Sequence, residues 1–321
     1  MRAHSAASSP ELNEAPRVAV TLPCYNEAAT IAEVVADFRA VLPDADIYVF
    51  DNNSTDGTAE VAARAGAIVR TERRQGKGHV VRRIFADVEA DIIIMADGDG
   101  TYDASAAPML IEVMRKNQVD MVVGTRAGVT QDAGREGHAF GNKIFNTLYG
   151  WMFGRDFTDI FSGYRVFTRR FAKSFPAVSG GFEIETEMSV HASQLGIPTL
   201  ERPTRYGVRP EDSPSKLRTF RDGFRILGMF FMLMKETRPA VFFGAAGAGF
   251  VALAALLSLP LLATYLETGL VPRFPTAILS TGITIVGVIV AVCGLILDSL
   301  ARARIEAKRS VYLSFAPLRS E

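Results

Sequence analysis

The stretch that decides the reading of this chain is Ile92-Ile93-Ile94-Met95-Ala96-Asp97-Gly98-Asp99-Gly100-Thr101-Tyr102. A short apolar run bounded by turn residues predicts a buried strand, so Asp97 and Asp99 emerge where that strand leaves its sheet. In open α/β sheets ligands collect at the carboxyl ends of the strands, and two carboxylates spaced by two residues can share a hard divalent cation and the phosphates it neutralises. A surface Asp-Gly turn is the competing reading of the same residues. The neighbouring strand ends decide between them.

Working outward, strand and helix patterns alternate. Val18 to Leu22 reads as a strand, and Glu27 to Leu42 carries Ile31, Val34, Val35 and Phe38 at helical spacing. Ile47 to Phe50 is the next strand, Thr58 to Ala65 a helix, Gly78 to Val88 a helix leading into the Ile92 strand, then Ser105 to Asn117 a helix and Met121 to Gly124 a strand. Beyond residue 125, Phe140 to Phe153 reads as a helix, Phe161 to Thr168 as a strand and Glu183 to Leu195 as a helix. Such alternation predicts an α/β fold with a mostly parallel sheet covered on both faces. The first strand runs into Pro23-Cys24-Tyr25-Asn26-Glu27 and the second into Asp51-Asn52-Asn53-Ser54-Thr55-Asp56-Gly57-Thr58. Each puts polar groups just before a helix, where backbone donors and the helix dipole favour phosphate.

The chain has 321 residues, a formal net charge of zero and 48% hydrophobic residues. Two units are expected from that length, and balanced charge argues against nucleic acid as a partner. Cys24 and Cys293 lie far apart in different kinds of segment, which predicts no disulfide and a reducing compartment for the soluble part. Residues 1–15 are polar without an apolar core and read as a disordered tail rather than a secretory signal. The 25 residues from Val241 to Tyr265 and the 22 from Thr276 to Leu297 carry no charge, enough in each case to cross a hydrocarbon core. Lys216, Arg218, Arg221, Arg225, Lys235 and Arg238 precede the first span, and Arg302, Arg304, Lys308 and Arg309 follow the second. The connection between the spans has only Glu267 and Arg273. The excess of basic residues outside the hairpin predicts both termini and the soluble domain on the cytoplasmic side of the cell (inner) membrane. Leu217, Phe220, Phe224, Leu227, Phe231 and Met234 recur every three or four residues, so this segment is expected to lie in the membrane interface.

The segments Pro-Cys-Tyr-Asn-Glu, Asp-Asn-Asn-Ser-Thr-Asp-Gly-Thr, Gly-Lys-Gly and Asp-Gly-Asp-Gly-Thr-Tyr together resemble those of family 2 inverting glycosyltransferases, and more narrowly the polyprenyl-phosphate enzymes of the dolichol-phosphate mannose synthase type. The resemblance covers residues 17 to about 230, and the two spans match membrane-anchored members. It implies a Rossmann-like, GT-A type domain at 16–215, an interfacial region at 216–238, a transmembrane hairpin at 239–298 and a basic tail at 299–321. The implied reaction moves one sugar from a UDP- or GDP-sugar to a polyprenyl phosphate.

By the same resemblance Pro23, Tyr25 and Glu27 line the nucleoside pocket, Asp51 meets base or ribose, Lys77 contacts the nucleotide or its phosphates, and Asp97 and Asp99 hold Mg²⁺ or Mn²⁺ on the diphosphate. Some members carry a glutamine two residues beyond the second aspartate as a further ligand; here that position is Thr101. Arg126, Arg135 and Lys216 match the positions that gather the acceptor phosphate, and Asp159 matches the proposed catalytic base. A phosphate monoester is already largely ionised near pH 7, its second pKa being about 6, so Asp159 is expected to orient more than it deprotonates.

Several decoys are set aside. Gln75-Gly76-Lys77-Gly78 is not a P-loop, because Thr71 stands where the first glycine belongs and Gly78 where Ser or Thr should follow the lysine. Glu183, Glu185 and Glu187 are explained by the dipole of a helix start, and His4, His79, His138 and His191 have no ligand spacing. Two spans per chain suffice to pair into a homo-oligomer, with Gly244, Gly247 and Gly249 permitting close packing. The alternative functions are transfer to another lipid such as a diacylglycerol, whose neutral hydroxyl needs a true base, and a non-catalytic membrane scaffold that binds nucleotide sugars.

Overall fold

The structure is a computed structural model that describes residues 15–127, 150, 157–181, 183–207, 228 and 231–318. All of the expected helix at 140–153 but Gly150, most of the interfacial segment, Arg135 and Lys216 fall outside these residues. The chain divides into two compact units, one of Met1–Lys216 with Val311–Glu321 and one of Leu217–Ser310.

The first unit is built on a seven-stranded sheet. Its elements are β1 (Val18–Cys24), α1 (Ile31–Val41), β2 (Asp46–Asp51), α2 (Thr58–Arg64), β3 (Ile68–Thr71), α3 (Lys77–Asp87), β4 (Ile92–Met95), α4 (Ala107–Asn117), β5 (Met121–Ala127), β6 (Arg165–Thr168), α5 (Arg169–Ser174), α6 (Ile184–Leu195) and β7 (Thr199–Arg205). Strand order is β3-β2-β1-β4-β6-β5-β7. The first four strands are parallel, β6 runs antiparallel to both β4 and β5, and β7 is parallel to β5. Because β4 lies between β1 and β6, every residue from Ile92 to Met95 is buried, which explains an unbroken apolar run rather than alternation.

Side chains of successive strand residues point to opposite faces. Leu22, Val49, Ile92, Ile94 and Val166 meet Ile31, Val35 and Phe38 of α1 and Leu110 and Met114 of α4 in one core. On the other face Phe85 of α3 packs edge-on to Phe167 at 5.3 Å and Phe175 at 6.0 Å between ring centroids. The antiparallel β6 has a positional consequence: its register sets Arg165 beside Met95, so the loop that enters β6 arrives at the carboxyl end of β4.

Several boundaries differ from expectation for identifiable reasons. Helix α1 starts at Ile31 instead of Glu27, because Asn26 is held at φ 53° and residues 27–30 form a turn ahead of the helix. The strand expected from Phe161 shrinks to β6, since the preceding carbonyls of Ile160 and Ser162 accept from the buried Arg165 guanidinium at 2.9 Å each and curl the loop around it. Strands β3 and β7 were not expected. β3 is short and half exposed, and β7 is an edge strand whose Glu201, Arg202, Pro203 and Arg205 hide the apolar alternation.

In the second unit, α7 (Pro239–Thr268) and the long helix α8 (Phe274–Leu313) are long and apolar enough to cross a membrane. Leu256, Leu259, Leu262 and Leu266 stand exposed along α7. The two helices touch at glycine: a Cβ on Gly247 would come within 2.6 Å of the Gly287 carbonyl, whereas Gly244 and Gly249 face open space. Helix α8 outlasts the apolar run, and its last turn belongs to the first unit. There the Tyr312 hydroxyl donates to Asp120 at 2.5 Å, the Arg170 guanidinium lies over the Tyr312 ring at 4.7 Å, and Leu318 packs against the sheet core.

Candidate functional site

Three parallel strands, β2, β1 and β4, end side by side, and each end is fixed by its own short hydrogen bonds. Asn26 accepts from the Thr55 backbone N–H at 2.8 Å through its side chain, and its own N–H donates to the Ser54 hydroxyl at 2.9 Å. Asp56 accepts from the N–H groups of Ala28 and Thr58, both at 3.0 Å, so the loops after β1 and β2 are stapled together. Pro23 is buried in the last turn of pairing between β1 and β2, and Tyr25 is half-buried beyond it. Glu27 is buried, with its N–H donating to the Thr58 hydroxyl at 2.9 Å. Asp51 is 5% exposed; one oxygen accepts from Ser54, and the other is buried with no hydrogen-bond partner among the described residues. An acceptor so placed fits a base or ribose donor group, since a buried carboxylate oxygen without a partner is costly. Next to it, Asn52 donates to the carbonyls of Glu72 and Arg74 and accepts from the Gly76 N–H at 2.7 Å, which shapes the turn that presents Lys77.

Asp97 and Asp99 differ sharply. Asp99 is 2% exposed, and one of its oxygens accepts from the Thr101 hydroxyl at 2.6 Å and the Thr101 N–H at 3.1 Å. Thr101 therefore orients Asp99. Asp97 is paired with Lys77 at 2.5 Å, and the same ammonium reaches Glu185 on α6 at 2.6 Å. Burial acts to lower the Lys77 pKa, but the Asp97 and Glu185 charges outweigh it and hold the ammonium protonated well above its ordinary range. Among the described residues no three His, Cys, Asp or Glu side chains converge as a closed metal cage. Two carboxylates at a strand end do fit Mg²⁺ or Mn²⁺, which are held by one or two carboxylates together with substrate phosphates.

On the other side of β4 lie the end of β5 and the loop before β6. Arg126 and Asp159 form a two-pronged pair, Nε to Oδ2 at 2.9 Å and Nη2 to Oδ1 at 2.7 Å, reinforced by the Arg126 N–H on Oδ2 at 3.2 Å. Burial pushes the Asp159 carboxyl up, yet Arg126 outweighs it and keeps the carboxyl below its usual range. The Thr158 and Asp159 N–H groups donate to Glu201 of β7, and the Ser162 hydroxyl donates to the Gly124 carbonyl at 2.5 Å, so the loop is tied to both β7 and β5. Tyr102 links the two sides: its hydroxyl accepts from the Gly163 N–H at 2.8 Å, and its ring packs on Tyr164 and Tyr206. Burial, aided by Asp97, pushes the Tyr102 phenol up, so it stays neutral.

The candidates thus gather at one end of the sheet: Pro23, Tyr25, Glu27, Asp51, Lys77, Asp97 and Asp99 where β1, β2 and β4 end, Arg126 and Asp159 at the end of β5 and in the loop before β6. The sequence points to no role for Glu201 and assigns Glu185 to the helix dipole. In Glu183, Glu185 and Glu187 the signal was present but masked: residues two apart lie about 200° apart around a helix, so one of three can face a site alone. Glu185 is the buried one, while Glu187 accepts from the N–H groups of Val178 and Ser179 at 2.9 and 2.8 Å.

Residues 19–175 match the family model described as glycosyl transferase family 2. The chain is 39% identical over 250 residues to glycosyltransferase AglJ of Haloferax volcanii, spanning 77% of this chain and 81% of that one. It is 25% identical over 218 residues to the undecaprenyl-phosphate mannosyltransferase of Micrococcus luteus, spanning 63% and 87%. Among solved structures it resembles glucosyl-3-phosphoglycerate synthase from Mycobacterium tuberculosis in complex with Mn²⁺, UDP and phosphoglyceric acid, with a TM-score of 0.56, 21% identity, and coverage of 68% of this chain and 78% of the other.

Proposed function

The chain belongs to glycosyl transferase family 2 and draws on a nucleotide-sugar donor, and from that premise we propose that it transfers a single sugar, with inversion, to a polyprenyl phosphate at the cytoplasmic face of a membrane. The observation that carries the acceptor is the Arg126–Asp159 pair. A carboxylate clamped by a guanidinium and held below its usual pKa is a poor proton acceptor, which suits a nucleophile that is already an anion. A neutral lipid hydroxyl would need a freer base. The relative that acts on undecaprenyl phosphate and the two helices long enough to span a bilayer support the same choice.

In this reading Pro23, Tyr25, Glu27 and Asp51 hold the nucleoside, Lys77 faces the phosphates, and Asp97 and Asp99 hold Mg²⁺ or Mn²⁺. The cation, when bound, offsets the charge that grows on the departing diphosphate. Arg126, joined by Arg135 and Lys216, draws in the acceptor phosphate. One of its oxygens attacks the anomeric carbon as the bond to the nucleoside diphosphate breaks on the opposite face, so no proton need move. Asp159 orients Arg126. Residues 16–215 form the catalytic domain, 216–238 lie in the interface, 239–298 cross the inner membrane as a hairpin and 299–321 return to the cytoplasm, the basic flanks setting that orientation. The glycine contact between the spans leaves Gly244 and Gly249 free for a second copy in a homo-oligomer.

The test is transfer by the full chain in detergent, with radiolabelled UDP- and GDP-sugars, Mn²⁺ or Mg²⁺, and undecaprenyl phosphate or diacylglycerol as acceptor. Label on the lipid phosphate, lost on chelation, is the expected result. Label on diacylglycerol alone overturns the acceptor.

A further inference from the structure

Lys77 is positioned more elaborately than a phosphate-facing lysine requires. Its turn is pressed against the segment that leads into α6: a Cβ on Gly76 or Gly78 would collide with the backbone carbonyls of Gly180 or Ser179, so glycine is needed for the approach. Arg82 of α3 donates to the carbonyls of Ala177 at 2.8 Å and Val178 at 3.1 Å, and Glu187 of α6 takes the N–H groups of Val178 and Ser179. This binds α3 to the start of α6 and fixes Glu185 against the Lys77 ammonium. The side chains of Lys77 and Glu185 are 9% and 5% exposed, and the second Glu185 oxygen is buried without a hydrogen-bond partner among the described residues. Gly163 passes so close that a Cβ there would sit 3.0 Å from the ammonium and 3.1 Å from Asp97.

The charges in this pocket do not balance in pairs. One ammonium serves Asp97 and Glu185, yet in the donor site described above Asp97 is also claimed by the cation. A desolvated ammonium released by Asp97 needs another anion at once. We propose that Glu185 is a positioning residue for the donor: it retains Lys77 beside the end of β4 while Asp97 is given over to the cation, leaving the ammonium aimed at the phosphates. The role rests on the donor site described above. Without the Glu185 charge, Lys77 keeps Asp97 as its one carboxylate partner among the described residues and competes with the cation for it.

The experiment is calorimetric titration of the full chain in detergent with UDP and with GDP, each in the presence of Mn²⁺, on wild type, Glu185→Gln, Lys77→Met and the double variant, with donor KM and kcat measured alongside. Glu185→Gln is expected to weaken the nucleotide roughly tenfold and to raise donor KM by the same factor, with kcat held within about threefold. In the Lys77→Met background it is expected to do nothing further, because the effect passes through Lys77. Equal binding by wild type and Glu185→Gln, or an undiminished loss in the Lys77→Met background, overturns the role of Glu185 while leaving the donor site intact. Wild type that binds neither nucleotide overturns the donor site and this role with it. If Glu185→Gln loses its melting transition, Glu185→Asp carries the comparison: an intermediate loss of affinity is expected, and wild-type affinity refutes the proposal.

Discussion

Replacing Asp159 by Asn separates an orienting carboxylate from a catalytic base. The Asp159 and Arg126 side chains are 15% and 18% exposed and share two side-chain hydrogen bonds of 2.9 and 2.7 Å. Asn keeps one acceptor oxygen and loses the other along with the charge. A hydrogen bond to a charged group is worth about 1.5–3 kcal/mol, so Arg126 is loosened by roughly that amount and the acceptor KM rises by about 10- to 150-fold. A general base contributes about 10²- to 10⁴-fold to the chemical step. An orienting role therefore predicts that kcat stays within about tenfold of wild type at saturating undecaprenyl phosphate. It also predicts that the acid limb of the rate profile follows the acceptor phosphate, near pH 6, in both proteins. The assay is initial-rate transfer from radiolabelled sugar nucleotide, at several acceptor concentrations, between pH 5 and pH 9. A fall in kcat of a thousandfold or more with unchanged acceptor KM, and loss of the acid limb, would refute the argument.

Other outcomes follow from the same geometry. Because Asp159 is held below its usual pKa, the stability it contributes is complete above an unfolded value of about 4 and is lost as pH falls through the folded value. Asp159→Asn is accordingly expected to melt lower than wild type at pH 7 and to converge with it as the acid range is entered, read by thermal denaturation in detergent. Asp99→Ala removes the carboxylate that Thr101 orients, and Mn²⁺-dependent binding of UDP or GDP should vanish with turnover; retained turnover refutes the cation role. Tyr312→Phe deletes one of the bonds to Asp120, which keeps Arg170 and Thr168, so a loss of about 1–2 kcal/mol and a melting temperature lower by a few degrees are expected. Cys24 is buried, and burial first, then the surrounding carboxylates, raise its thiol well above its usual pKa; in a Cys293→Ser background it should resist maleimide at pH 8 until the protein is unfolded.

The strand ends to which we assign the donor were legible because their signals are local. A strand, a turn and a helix start are each written within a dozen residues, and the ends of β1, β2 and β4 carry Glu27, Asp51, Asp97 and Asp99 wherever the sheet places them. The uncharged runs at Val241 to Tyr265 and Thr276 to Leu297 are equally plain, since length and apolarity alone set what can cross a bilayer. The edge strands β3 and β7 were illegible because an edge needs little burial, so charge and proline interrupt the pattern.

What the tertiary structure alone decided are the partnerships. The antiparallel insertion of β6 between β4 and β5 brings the 157–164 loop to the carboxyl end of β4, and with it Asp159 to Arg126 and Gly163 to the Lys77 ammonium. The close packing of α3 on the start of α6 selects Glu185 from three glutamates that look alike in sequence. Sequence periodicity reports which residues leave the solvent. It carries no record of which distant charge each of them meets, because that depends on strand order and on backbone approaches permitted only at glycine.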